Sequence, residues 1–128
     1  MNLRLDLVGI VARDMGASLS FYRRLGLDIP EGVEDESHVE ATTPSGLRVA
    51  WDSAGLIRQI DPGWTEPSGG HRVALAFLCP SPAAVDAKYE ELAALDYGHK
   101  EPWDAFWGQR YATVKDPDGN HVDLFAPL

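Results

Sequence analysis

A chain of 128 residues with 45 % hydrophobic and 24 % charged residues has the size and make-up of one globular domain, not a disordered or fibrous one. Eleven basic residues stand against 20 acidic ones, and a net charge of -9 repels phosphate backbones, so no nucleic-acid partner is expected. No apolar run reaches the ~18 residues of a membrane span, and no apolar leader with a cleavage site opens the chain, so a cytoplasmic small-molecule protein with no membrane partner is the expectation.

In chain order, residues 3–12 (LRLDLVGIVA) read as a buried strand. Residues 15–25 (MGASLSFYRRL) read as a short helix with Leu19 and Tyr22 on one face, stopped by Gly26. Strands follow at 37–43 and 47–52, joined by the turn Pro44-Ser45-Gly46. Residues 53–70, with DPGWTEPSGG, lack a clean period and read as a connector, a linker or lid. The plan then repeats. Residues 71–79 (HRVALAFLC) read as a strand, Ser81-Pro82 opens a helix to about residue 95, and strands at 109–115 and 121–126 flank the turn DPDGN. The lone Cys79 excludes an internal disulfide and reads as a small buried hydrophobe.

Laying PSGLRVAW over PDGNHVDL aligns the two halves, 1–52 and 71–128, within a single domain of two repeated modules. Each half is predicted as β-α-β-β-β, with a poorly marked strand after each helix, which makes the fold class α+β. Alternation along the strands turns Val39, Ala41, Val49 and Trp51 toward the helices and leaves His38, Glu40, Arg48, Ala50 and Asp52 on the other face. In the second half Ala112 and Val114 face the core, while Tyr111, Thr113, Lys115, His121, Asp123 and Phe125 face away from it. Residues 101–111 (EPWDAFWGQRY) hold four aromatics in eleven positions, Trp103, Phe106, Trp107 and Tyr111, ahead of a strand. Trp103 and Phe106 suit either a ligand platform or a core rim; Trp107 and Tyr111 point more to the platform. No nucleophile with an adjacent base and no phosphate-cradling glycine loop is present, so no catalytic residue is assigned.

Paired modules of this kind, with FYRRLG in the first and DPDGN in the last hairpin, resemble the vicinal oxygen chelate superfamily, which holds glyoxalase I, extradiol dioxygenases and bleomycin-resistance proteins. The resemblance implies curled mixed sheets forming a cup-shaped cavity, in a homodimer that exchanges modules. It also implies four metal-ligand positions, which fall here on Leu7, Ala50, His71 and Asp123. Leu7 and Ala50 carry no donor atom, so neither metal nor cofactor is expected. Within the superfamily, FYRRLGLDIP, LRVAWD, DPGWTEPSGGHR and PWDAFWGQRYATVKDPDGNHVDLFAPL are most similar to the mitomycin-binding drug-resistance branch. That branch implies a planar quinone or other aromatic ligand stacked on Trp107, sequestered without metal. With the residues that alternation, the aromatic segment and the inferred metal positions supply, the ligand-binding residues assigned are Trp107, Tyr111, His38, Arg48, Asp52, Trp103, His71 and Asp123, with His71 or a strand arginine expected to partner Asp123. The alternative is a metal-dependent glyoxalase- or dioxygenase-type lyase or oxidoreductase; a paralogue without a ligand is a third reading.

Overall fold

The computed structural model describes residues 1–128, in the order β1 (Leu7–Ala12), α1 (Met15–Arg24), β2 (His38–Thr42), β3 (Arg48–Ser53), α2 (Ala54–Ile60), β4 (Leu75–Leu78), α3 (Pro82–Ala93), β5 (Gly98–Ala105), β6 (Gln109–Lys115) and β7 (His121–Pro127). Two compact units divide it, 1–68 and 69–128.

In the first unit Asp14 caps α1, its carboxylate accepting from the Ala17 N–H at 3.0 Å. The helix ends at Gly26, whose φ of +93° needs a residue without Cβ. The sheet order is β1-β3-β2, with β1 parallel and β2 antiparallel to β3, so the sheet is mixed. Val39 pairs with Trp51 and Ala41 with Val49, and these four are buried together with Leu19 and Tyr22 of α1. Trp51 is fully buried, its ring 5.5 Å from that of Tyr22.

The strand expected after the first helix is absent, so this unit is β-α-β-β. Arg23 takes over the stretch instead: its guanidinium donates to the carbonyls of Ile29 and Pro30 and to Glu34 at 3.0 Å, so one side chain satisfies carbonyl acceptors that a ladder would otherwise pair. The connector also departs from expectation. Ser53 accepts from the Leu56 N–H at 3.1 Å and starts α2, a seven-residue helix too short to show a period in the sequence.

The second unit has the full β-α-β-β-β plan, in the order β4-β7-β6-β5, with β4 parallel to β7 and the other pairs antiparallel. Ser81 caps α3 through the Ala84 N–H, and Pro82 occupies its first turn, where no amide donor is needed. Val85 and Leu92 of α3 are buried with Ala112, Val114, Val122, Leu124 and Ala126 of β6 and β7. Arg110 ties the same face to the helix through Asp86 at 2.9 Å. Gly98 permits a close approach, since a Cβ there would lie 2.8 Å from the Tyr89 hydroxyl. In the last turn Asp116 accepts from the Asp118 N–H, the Asn120 N–H and the Asn120 side-chain amide, all within 2.9 Å.

Strands predicted over 3–12 and 71–79 are trimmed to 7–12 and 75–78, because residues 1–5 and 71–74 are exposed and gain nothing from pairing. His71 therefore precedes its strand. Neither sheet is curled; both are open, with β1 and β2 at the edges of one and β4 and β5 at the edges of the other. Cys79 is half-buried, and burial pushes its thiol up, away from reactivity.

Candidate functional site

The aromatic segment is not a loop ahead of a strand. Residues through Ala105 complete β5, and Phe106-Trp107-Gly108 forms a three-residue hairpin into β6. The Gly108 N–H donates to Ala105 O at 3.0 Å, and Gly108 takes φ +92°, the left-handed position that such a loop requires. This geometry lifts two rings out of the sheet. Phe106 is 91 % exposed and Trp107 48 % exposed. Trp107 stands edge-to-face against three rings, Trp103 at 5.5 Å, Phe106 at 4.9 Å and Tyr111 at 5.2 Å. Its indole N–H donates to Gln109 Oε1 at 2.7 Å. Trp103 pairs directly with Tyr111 across β5 and β6, and Lys100 lies over its ring at 4.9 Å.

The sheet face away from α3 continues this surface. Tyr111 stacks on Phe125 at 6.3 Å. Asp123 sits beside them, accepting from the Tyr111 hydroxyl at 2.7 Å and from the Thr113 hydroxyl at 2.9 Å. Those are its partners, in place of the expected His71 or a strand arginine. Burial and the facing Asp123 carboxylate push the Tyr111 phenol up to about 12, so it remains a neutral donor across the working pH range. His71 stacks on His121 at 3.6 Å, and His99 lies edge-on to His121 at 4.7 Å.

In the first unit His38, Arg48 and Asp52 come together on the sheet face away from α1, as alternation predicts. His38 Nδ1 faces Asp52 and its Nε2 faces Glu40 at 2.7 Å. Arg48 donates to Glu40 at 2.8 Å and to Asp6 at 2.6 Å. A histidine with a carboxylate at each nitrogen donates from both and so carries charge. Asp52, followed by Glu40, accordingly holds the His38 imidazolium above its ordinary value, whereas burial, followed by the neighbouring His71, pushes His121 down.

The signs oppose. His38 adds stability that is present below 6.5 and lost as pH rises through its folded value; His121 adds stability that is present above 6.5 and lost as pH falls through its folded value. In a ring-proton NMR titration His38 is expected to titrate above 6.5 and His121 below it. Coincident curves would show that neither environment matters.

The eight residues predicted from sequence thus fall into two groups: His38, Arg48 and Asp52 in the first unit, and His71, Trp103, Trp107, Tyr111 and Asp123 in the second. Gln109, His99 and Asp6 were missed. Gln109 lies two residues before Tyr111 and was within reach of the same alternation; nothing local marks Asp6, whose role comes from its contact with Arg48, 42 residues away.

A metal does not fit this donor set. Leu7 has no donor atom, and Ala50 is a fully buried methyl group. Both Asp123 oxygens already accept hydrogen bonds from Tyr111 and Thr113. No group of three or more His, Cys, Asp or Glu side chains is arranged to hold a metal ion.

Comparison with solved structures finds this fold widely. A glyoxalase/bleomycin resistance protein/dioxygenase family enzyme from Burkholderia phytofirmans PsJN superposes with a TM-score of 0.83 at 20 % identity, over 98 % of this chain and 100 % of that one. A glyoxalase/bleomycin resistance protein/dioxygenase from Nocardioides gives 0.76 at 27 % identity, over 100 % and 85 %. A lactoylglutathione lyase from Agrobacterium tumefaciens gives 0.69 at 18 % identity, over 98 % and 95 %. No curated protein matches the chain. The profile of the Glyoxalase/Bleomycin resistance protein/Dioxygenase superfamily matches residues 4–124, and the chain belongs to that superfamily.

Proposed function

We propose that this protein binds and sequesters a planar, quinone-like toxic small molecule, of the mitomycin class or close to it, and so confers drug resistance without metal. One observation carries the reading: Trp107, raised on a hairpin tip among Trp103, Phe106 and Tyr111, leaves about half of its surface open in a cluster of aromatic rings. Large exposed rings in one patch are costly in water and useful to a flat ligand. Tyr111, fixed by Asp123, supplies a polar edge beside the stacking surface. His38, Arg48, Asp52 and His71 are proposed as further ligand contacts, in a cup that a cytoplasmic homodimer completes by exchanging modules.

The test is a tryptophan-fluorescence screen of the purified protein against mitomycin C, bleomycin and simple quinones. Saturable quenching by a planar quinone supports the reading, and a flat response to all of them overturns it. The competing reading, a metal-dependent lyase or oxidoreductase, needs donors that positions 7 and 50 lack. Elemental analysis after dialysis is expected to find no stoichiometric zinc, nickel, manganese or iron, and retention of any of them would favour the enzyme.

The dimer is expected because open sheets leave strand edges that want cover, β1 and β4 among them. Light scattering at micromolar concentration should return twice the 14.0 kDa chain mass. A monomer mass would remove the module exchange from the proposal.

A further inference from the structure

From the Trp107–Gln109 geometry, and resting on the binding reading above, we infer that Gln109 is a positioning residue that sets how Trp107 meets the ligand, and thereby which ligands it accepts. Trp107 sits on a three-residue hairpin tip with its side chain half in solvent, where an indole ordinarily samples several rotamers. The three surrounding rings meet it edge-to-face and give it apolar contacts with no fixed polar partner. The Gln109 Oε1 contact at 2.7 Å is the directional polar tether, and it holds the indole N–H edge toward Gln109.

The tether also has a chemical consequence. An indole has a single donor and no acceptor, and here that donor is already spent on Gln109. Trp107 therefore offers the ligand π surface alone. A site built this way favours an electron-poor flat ring system, such as a quinone, and gives no added affinity to a non-planar ligand that needs a hydrogen bond from this position. Gln109 itself points along the same face as Tyr111, since the two lie two residues apart on β6.

Gln109→Leu removes the acceptor at similar volume, and Gln109→Glu retains it. Two readouts are needed, with menadione as the planar quinone probe. In the ligand-free protein, the Trp107 indole N–H resonance in a 15N spectrum, assigned by its loss in Trp107→Phe, should move upfield in Gln109→Leu and stay downfield in Gln109→Glu. By calorimetry, menadione should bind Gln109→Leu about five- to tenfold more weakly and Gln109→Glu within about twofold of the parent, as expected for one hydrogen bond. An unmoved indole resonance in Gln109→Leu overturns the positioning role. A moved resonance with unchanged menadione affinity overturns its link to ligand choice. If the parent protein binds no menadione, the ligand half falls together with the binding reading, while the resonance alone decides whether Gln109 positions the ring.

Discussion

Replacing Trp107 by alanine is expected to weaken binding of a planar quinone by about 30- to 150-fold while leaving the protein folded. The ring contributes burial of a flat ligand face and favourable quadrupole geometry, on the order of 2–3 kcal/mol together, and each decade of affinity is about 1.4 kcal/mol. Folding should survive because the ring is 48 % exposed and the hairpin it caps is held by backbone contacts, Gly108 N–H to Ala105 O and Leu128 N–H to Gly108 O. Titration calorimetry on the variant beside its thermal melt separates the possibilities. Unchanged affinity would end the stacking role. A collapsed melt would place the ring in the fold and not at the ligand, and Trp107→Phe would then report stacking with the fold kept.

Trp51→Ala is expected to show the reverse pattern, a large loss of stability at a position remote in kind from ligand chemistry. Trp51 is fully buried between the paired Val39 and the ring of Tyr22. Emptying a site of that size costs about 3–5 kcal/mol and lowers the melting temperature by about 10–20 °C in a chain of this length. Trp51→Phe should cost much less, because it keeps an aromatic ring and sheds an indole N–H that is buried without an acceptor. Equal losses in the two variants, measured by urea unfolding, would mean that the volume of the ring is not what holds this sheet to α1.

These two tryptophans show what the sequence discloses. Trp51 shares its strand face with Val49, two residues before it, so its turn toward the helix follows from the period, although Ala50 on the opposite face is buried as well. The same rule places Tyr111, Thr113 and Asp123 on one face from the sequence alone. It did not foresee that Tyr111 and Thr113 would occupy both Asp123 oxygens, because hydroxyl geometry depends on the pairing of β6 with β7. The helix at 15–24 was legible through its apolar face and Gly26, which closes it, and that at 82–93 through Ser81-Pro82, which opens it. The seven-residue α2 was not, since about two turns of helix bury only Ala54 and leave no stripe. Nor was the missing strand of the first unit, because its replacement rests on the reach of one arginine side chain to Ile29, Pro30 and Glu34.

The hub at Asp116 bears on the order in which the second unit assembles. Three donors within four residues close the β6–β7 turn locally, at small cost in chain entropy. That hairpin can form early. The parallel pairing of β4 with β7 joins Leu75 to Val122, across more than a third of the chain, and must wait until α3 and the hairpin are in place. The latest strand to dock is also the shortest in the molecule, with Ala76 and Leu78 open to solvent. Native-state opening should begin there, so the amides of β4 exchange with solvent first and those of the hairpin last.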